Sequence, residues 1–167
     1  MLLYHAATVQ IRQPSIIQAE RGRDFGFGFY TTADKGRAER WANQNALILA
    51  RQAPQAVKAI VNIYRFNPNE KLKIKRFAQL SPEWLEWVRR ERTQSELDHD
   101  FDLITGAIAD EAVGALVTRV SAGRISPEKA LEQLVGQELH QQWTFCTQQA
   151  LELLKFQSHY ELEIEND

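Results

Sequence analysis

Three short stretches hold the residue types from which a ligand site could be built. They are Tyr4-His5, the run Phe25-Gly26-Phe27-Gly28-Phe29-Tyr30-Thr31-Thr32, and Gln141-Gln142. Imidazole and carboxamide groups both hydrogen-bond hydroxyl-bearing ligands. Glycines at alternate positions let a backbone come close to whatever lies against it. A loop ahead of the run carries Arg12, Arg21 and Arg23, and guanidinium matches phosphate in a bidentate fork. Each piece also has a plainer reading. The histidine is then incidental, the tyrosine core, the glutamine pair surface, and the arginines a solvated loop.

Other chemistry is missing from the chain. There is no Walker loop, no His-Glu-x-x-His and no Cys-x-x-Cys. Gly26-Phe27-Gly28 is a fragment of a dinucleotide fingerprint, but it leads into a strand pattern rather than a helix. Cys146 is the one cysteine and reads as a small buried hydrophobe in a strand. His99, His140 and His159 lie in polar surroundings and read as surface histidines.

The elements that must position these groups are legible from periodicity. Leu2 to His5 is a short apolar run that predicts a first strand, and residues 8–24 predict a long irregular loop. Phe25 to Thr32 predicts a strand entered through a close-packed approach. Asp34 is placed to cap a helix running to about Gln52, with Pro54 ending it. Val57 to Phe66 and Leu72 to Phe77 predict strands. Ser81-Pro82-Glu83 and Ser126-Pro127-Glu128 each start a helix, the second running to about Val135. Phe101 to Ala109 and Gln142 to Cys146 predict strands, Gln148 to Leu154 a short helix, and His159 to Ile164 a last strand. Strands and helices are interspersed without regular βα alternation. That favours an α+β fold with a mainly antiparallel sheet over a doubly wound one.

The chain has 167 residues, 44% hydrophobic and 25% charged, with a net charge of −2. One domain of that size buries a sizeable core. No basic surplus argues for nucleic acid as an obligate partner. A single cysteine fits a reducing compartment. No signal-peptide pattern and no apolar stretch of about 20 residues is present, so a cytoplasmic protein without a membrane partner is expected.

The order and context of the three stretches resemble a known pattern. Gly26, Gly28, Tyr30 and Trp41 match, without a gap, the donor-site segment of ADP-ribosyltransferases of the diphtheria-toxin and poly(ADP-ribose)-polymerase type. The chain also resembles domain-of-unknown-function family 3990 over nearly its full length, through Asp24 to Thr32, Tyr4-His5, Asp102 to Asp110, and Gln142 with Phe145 and Thr147. The resemblance implies a single ADP-ribosyltransferase-like domain with a split sheet core and flanking helices. It further implies NAD as substrate and an acceptor that is a macromolecule or small molecule. A bacterial toxin or phage-defence role, with an antitoxin or other protein partner, is implied as well. By position, His5 resembles the histidine that hydrogen-bonds a ribose hydroxyl. Tyr30 resembles the tyrosine packing on nicotinamide, with Trp41 as the opposite wall. Gln142 takes the place of the acidic residue opening a late strand. Ala6 would offer backbone to the carboxamide, Gly26 and Gly28 a close approach, and Arg12, Arg21 and Arg23 charge for the pyrophosphate.

The sequence departs from the pattern in three places. Ala6-Ala7 stand where glycine and a hydroxyl residue follow the histidine. Ala38 stands where the polymerases have serine. Gln142 stands where a carboxylate steadies the ribosyl cation; its loss costs about 1.5–3 kcal/mol, or one to two decades in rate. Glu138 or Asp102 could restore that charge if folded nearby. Three readings follow: a slow mono-ADP-ribosyltransferase, a nucleotide-binding or protein-interaction module without turnover, and an α+β domain whose aromatic run is only core.

Overall fold

A computed structural model describes residues 1–16, 23–52, 56–93, 99–109, 111–135 and 140–164. In chain order the elements are β1 (Leu2–Ala7), β2 (Phe29–Thr32), α1 (Lys35–Gln52), β3 (Ala59–Phe66), β4 (Ile74–Arg76) and α2 (Pro82–Thr93). They continue with β5 (Leu103–Ala107), α3 (Glu111–Ser121), α4 (Pro127–Glu132), β6 (Gln141–Phe145), α5 (Gln148–Leu151) and β7 (Leu154–Leu162). The fold is α+β, built on one mixed sheet in the order β4-β5-β6-β2-β1-β3-β7. The β4–β5 pair is parallel and the other described pairs are antiparallel.

The sheet is strong within its halves and weak between them. β1 pairs with β3 through six residues and β2 with β6 through four. Among the described residues, β1 and β2 share the single pair Tyr4–Thr32. Continuing that register would set Ala6 opposite Tyr30, but the two strands part first. A seam therefore runs between β4-β5-β6-β2 and β1-β3-β7.

Helices pack mainly on one half or the other, while a further core, with Leu3 and Phe66 against Phe29 and Phe145, spans both. α1 lays Ala38, Ala42 and Ala46, one residue per turn, on Ala59 and Val61 of β3; small side chains at that spacing bring helix and sheet close. Asp34 caps this helix by accepting from Arg37 N at 2.9 Å. α2, α3 and α4 pack Trp84, Leu85, Val88, Val113, Leu116 and Ala130 with Ile104 of β5. Ser81 and Ser126 cap α2 and α4 as their Ser-Pro-Glu starts predict.

Several boundaries differ from expectation. The second strand begins at Phe29 rather than Phe25, because Gly26 sits at φ 69° and turns the chain first. α3 falls in a stretch where no element is expected, although Val113, Leu116, Val117 and Val120 recur at helical spacing. α4 stops at Glu132, short of Val135. α5 ends at Leu151, which lets the last strand begin at Leu154, five residues before His159.

Candidate functional site

β2 and β6 set the floor of the site. Thr32 pairs with Gln142 and Tyr30 with Thr144. Alternation along a strand then puts the side chains of Tyr30 and Gln142 on one face. β1 supplies the neighbouring edge across the seam. Where the strands part, Tyr30 O has lost its ladder partner, and His5 Nδ1 lies 2.6 Å from it. The imidazole thus replaces a missing backbone bond, which gives a histidine at this position a structural task. Its ring also stacks on Phe29, with centroids 4.1 Å apart.

The tautomer of His5 follows from its partner. A carbonyl only accepts, so Nδ1 carries the proton. Desolvation lowers the pKa of His5 to about 4; the Tyr30 carbonyl opposes that fall and the charge of Arg23 adds to it. At neutral pH the ring is uncharged and Nε2 is an acceptor.

Tyr30 is held by its hydroxyl, which donates to Gly26 O at 2.7 Å and accepts from Phe25 N at 3.1 Å. The side chain therefore closes the glycine turn that precedes its own strand. Desolvation, with the nearby charge of Asp24, pushes its pKa far above the usual phenol value, so it stays protonated. The Arg23 guanidinium lies 5.0 Å from the centre of the Tyr30 ring, within cation–π range.

Gln142 is 3% exposed. Its Nε2 donates to Asp24 Oδ2 at 2.9 Å and to Ala107 O at 3.5 Å. Both partners are acceptors, so the amide orientation is determined by its surroundings. What remains for a ligand is the acceptor Oε1. Asp24 is itself buried. Arg92 Nε and Nη2 donate to its Oδ1 at 3.0 and 2.6 Å, and Ala109 N donates to its Oδ2 at 2.8 Å.

These groups meet in one cleft of about 690 Å³, lined by His5, Ala6, Arg23, Tyr30, Trp41 and Gln142 among others. Ligand cavities commonly measure about 300–1,000 Å³. Trp41, Asn45 and Leu49, spaced one turn apart on α1, form one wall. Thr8, Val9 and Ile11 form another. That second wall is tied to β3. Buried Asn62 accepts from Ile11 N at 2.8 Å and donates to Val9 O at 3.1 Å, while Tyr64 Oη donates to Ile11 O at 2.6 Å.

Other expected site residues lie elsewhere. Gly26 and Gly28 do not line the cleft. Gly26 makes the turn, and Gly28 packs on β6, where a Cβ would sit 2.6 Å from Thr144 Cγ2 and 2.9 Å from Phe145 O. Arg12 lies over the Phe156 ring at 5.6 Å, away from the cleft lining. Ala38 is buried where α1 packs on β3. Asp102 does not restore a carboxylate. It accepts from Lys73 N at 2.8 Å and from Thr147 Oγ1 at 2.6 Å, joining the residue ahead of β4 to the cap of α5. Arg21 and Glu138 are outside the described residues. The carboxylate beside Gln142 is Asp24, with Arg92 behind it. Asp24 opens the glycine signature, so its position was visible. Arg92, in the last turn of a helix rich in charge, carried no signal.

A family model described as "Protein of unknown function (DUF3990)" matches residues 1–156. The chain belongs to that family. No curated protein matches it. The matched span takes in both edges of the seam, α1, and the Asp24–Arg92–Gln142 network. Cys146, buried behind β6, has its thiol pushed up to about 12, first by desolvation and then by the charges of Glu91 and Asp102. Such a thiol stays protonated and unreactive. Among the described residues no helix is long and apolar enough to cross a membrane.

Proposed function

We propose that the cleft binds NAD and that the chain transfers a single ADP-ribosyl unit from it to an acceptor. The observation that carries this reading is the convergence of His5, Arg23, Tyr30, Trp41 and Gln142, from separate segments, on one cavity. The aromatic walls suit the flat nicotinamide ring. Arg23 suits the pyrophosphate. His5 Nε2 and Gln142 Oε1 suit the ribose hydroxyls, which donate to them. In the transfer, the bond from ribose C1′ to the nicotinamide nitrogen breaks and nicotinamide leaves with the electron pair. The acceptor nucleophile bonds to C1′ and gives up its proton.

A specific observation also supports a second reading, binding without turnover. Gln142 is neutral, and the carboxylate beside it is already paired with Arg92. Positive charge growing on the ribose then meets dipoles in place of a net negative group. Titration calorimetry with NAD, combined with an assay for released nicotinamide and for label transferred to lysate components, separates the readings. Binding with product supports transfer, and binding without product supports the module. No binding at millimolar NAD removes both.

A further inference from the structure

Gln142 does not choose its own orientation. Its Nε2 is directed inward by Asp24 Oδ2 at 2.9 Å, and Asp24 is directed in turn by Arg92 from α2 and by Ala109 N after β5. Arg92 Nη2 also donates to Ala109 O at 3.0 Å. The guanidinium lies beside Gly114 of α3, where a Cβ would stand 2.9 Å from its Nη1. Several segments therefore converge on one buried carboxylate whose two oxygens serve different sides. Oδ1 serves Arg92, and Oδ2 serves Ala109 and Gln142.

We propose that Asp24, clamped by Arg92, is the positioning residue that holds the Gln142 amide nitrogen inward and its oxygen available to the cleft, and that it bars a carboxylate from position 142. The positioning half stands on the hydrogen bonds alone; its consequence for a ligand rests on the NAD reading above. The physical reason is direct. A glutamate at position 142 would set two carboxylates at hydrogen-bond distance in a buried place, where like charges cannot both remain ionised. Restoring the acidic residue would therefore damage the site unless Asp24 were changed with it. Asparagine at position 24 has one acceptor oxygen, so it serves Arg92 or the Gln142 side but not both.

A double-mutant cycle tests this. Q142E alone is expected to lower the melting temperature by roughly 5–10 °C. In the D24N background the same substitution should cost less than half as much, because the new amide at position 24 can donate to the new carboxylate at position 142. Equal losses in the two backgrounds overturn the proposal. If Q142E does not fold alone, recovery of folded protein in D24N/Q142E supports it. If neither folds, the Gln142 side-chain amide protons of the unmodified protein decide. Slow exchange that D24N abolishes supports positioning, and fast exchange overturns it. The functional arm uses NAD as probe. D24N should weaken binding about tenfold, equivalent to about 1.4 kcal/mol, with no further effect in a Q142A background. An equal effect in that background marks Asp24 as structural only and overturns the functional half. If NAD does not bind the unmodified protein, the NAD reading fails while the stability cycle still decides the positioning.

Discussion

Replacing Tyr30 with phenylalanine separates what its hydroxyl does from what its ring does. The hydroxyl makes two hydrogen bonds, to Gly26 O at 2.7 Å and from Phe25 N at 3.1 Å. Phe25 is fully buried, so its N–H finds no water when the hydroxyl is removed. Each neutral bond is worth about 1 kcal/mol net, and a stranded buried donor costs about 1–3 kcal/mol. Tyr30→Phe should therefore lose about 2–3 kcal/mol, or roughly 4–12 °C in melting temperature for a chain of this size. Urea denaturation should show a lower midpoint with an unchanged slope. The ring stays beside Arg23 and on the cleft wall, so NAD affinity should change by less than about threefold. Tyr30→Ala removes the ring as well and should cost about 3–5 kcal/mol in stability, together with most of the binding. If Tyr30→Phe is as stable as the unmodified chain, the hydroxyl is not closing the turn. If it keeps its stability but loses NAD binding tenfold, the hydroxyl belongs to the ligand and the turn argument is wrong.

Other expectations follow from the same contacts. Because the folded pKa of His5 is about 4 against 6.5 for the free side chain, the unfolded chain takes up a proton first as pH falls. His5 then subtracts stability progressively from about pH 6.5 to 4, by up to about 3 kcal/mol, with no penalty above pH 7. His5→Gln should flatten that part of the acid slope in denaturation curves at pH 7.5 and 5; an unchanged slope would place the titration elsewhere. Gly28→Ala should cost about 1–3 kcal/mol, since its Cβ meets a strand carbonyl at 2.9 Å. Gly36→Ala, in the first turn of α1, whose Cβ meets only side-chain atoms of Asp34 and Arg40 at 3.5 Å, should gain about 0.4–1 kcal/mol. Opposite signs at the two glycines are the check, by calorimetry. Asn62→Leu should release Val9 and Ile11 from β3, cost about 2 kcal/mol and weaken NAD binding. Loss of stability with no change in binding would mean that this loop is not a wall of the working site.

Strand and helix identity was legible in the sequence where local patterns agreed with burial. The run of β-formers in β3, the helical spacing of apolar residues in α1 and the two Ser-Pro-Glu starts need no tertiary knowledge. α3 was obscured by its neighbour. The apolar run through Ala109 reads as strand, and an observer following period two misses the change to helical spacing at Val113. The start of β2 is not legible because Phe25-Gly26-Phe27-Gly28 has strand composition, while Gly26 adopts a left-handed conformation and the Tyr30 hydroxyl bonds back to it. The meeting of His5, Tyr30 and Gln142 rests on order and resemblance, since spacing along a chain carries no information about a seam. The pairing of Asp24 with Arg92 escaped because a buried ion pair requires two elements to meet, and neither residue type is ordinarily buried without a partner.

The seam is the physical origin of the site. A sheet with an unbroken ladder between β1 and β2 would consume the Tyr30 carbonyl and leave no cleft between the halves. Here one ladder pair, Tyr4–Thr32, links β1 to β2 among the described residues, the core around Phe29, Tyr64, Phe66 and Phe145 holds the halves together on one face, and beyond that pair the backbone groups must find other partners. His5 takes one of them, and in doing so loses its freedom of tautomer. On the other side Asp24 takes the Gln142 amide nitrogen, and so determines which end of that amide faces inward. Each of these two side chains is thus committed at one end to the protein's own framework, and is left with an acceptor at the other. Two neutral acceptors beside aromatic walls and one arginine suit a hydroxylated, ring-bearing anion, which is the ligand chemistry we propose for the cleft. That proposal rests on how the sheet opens.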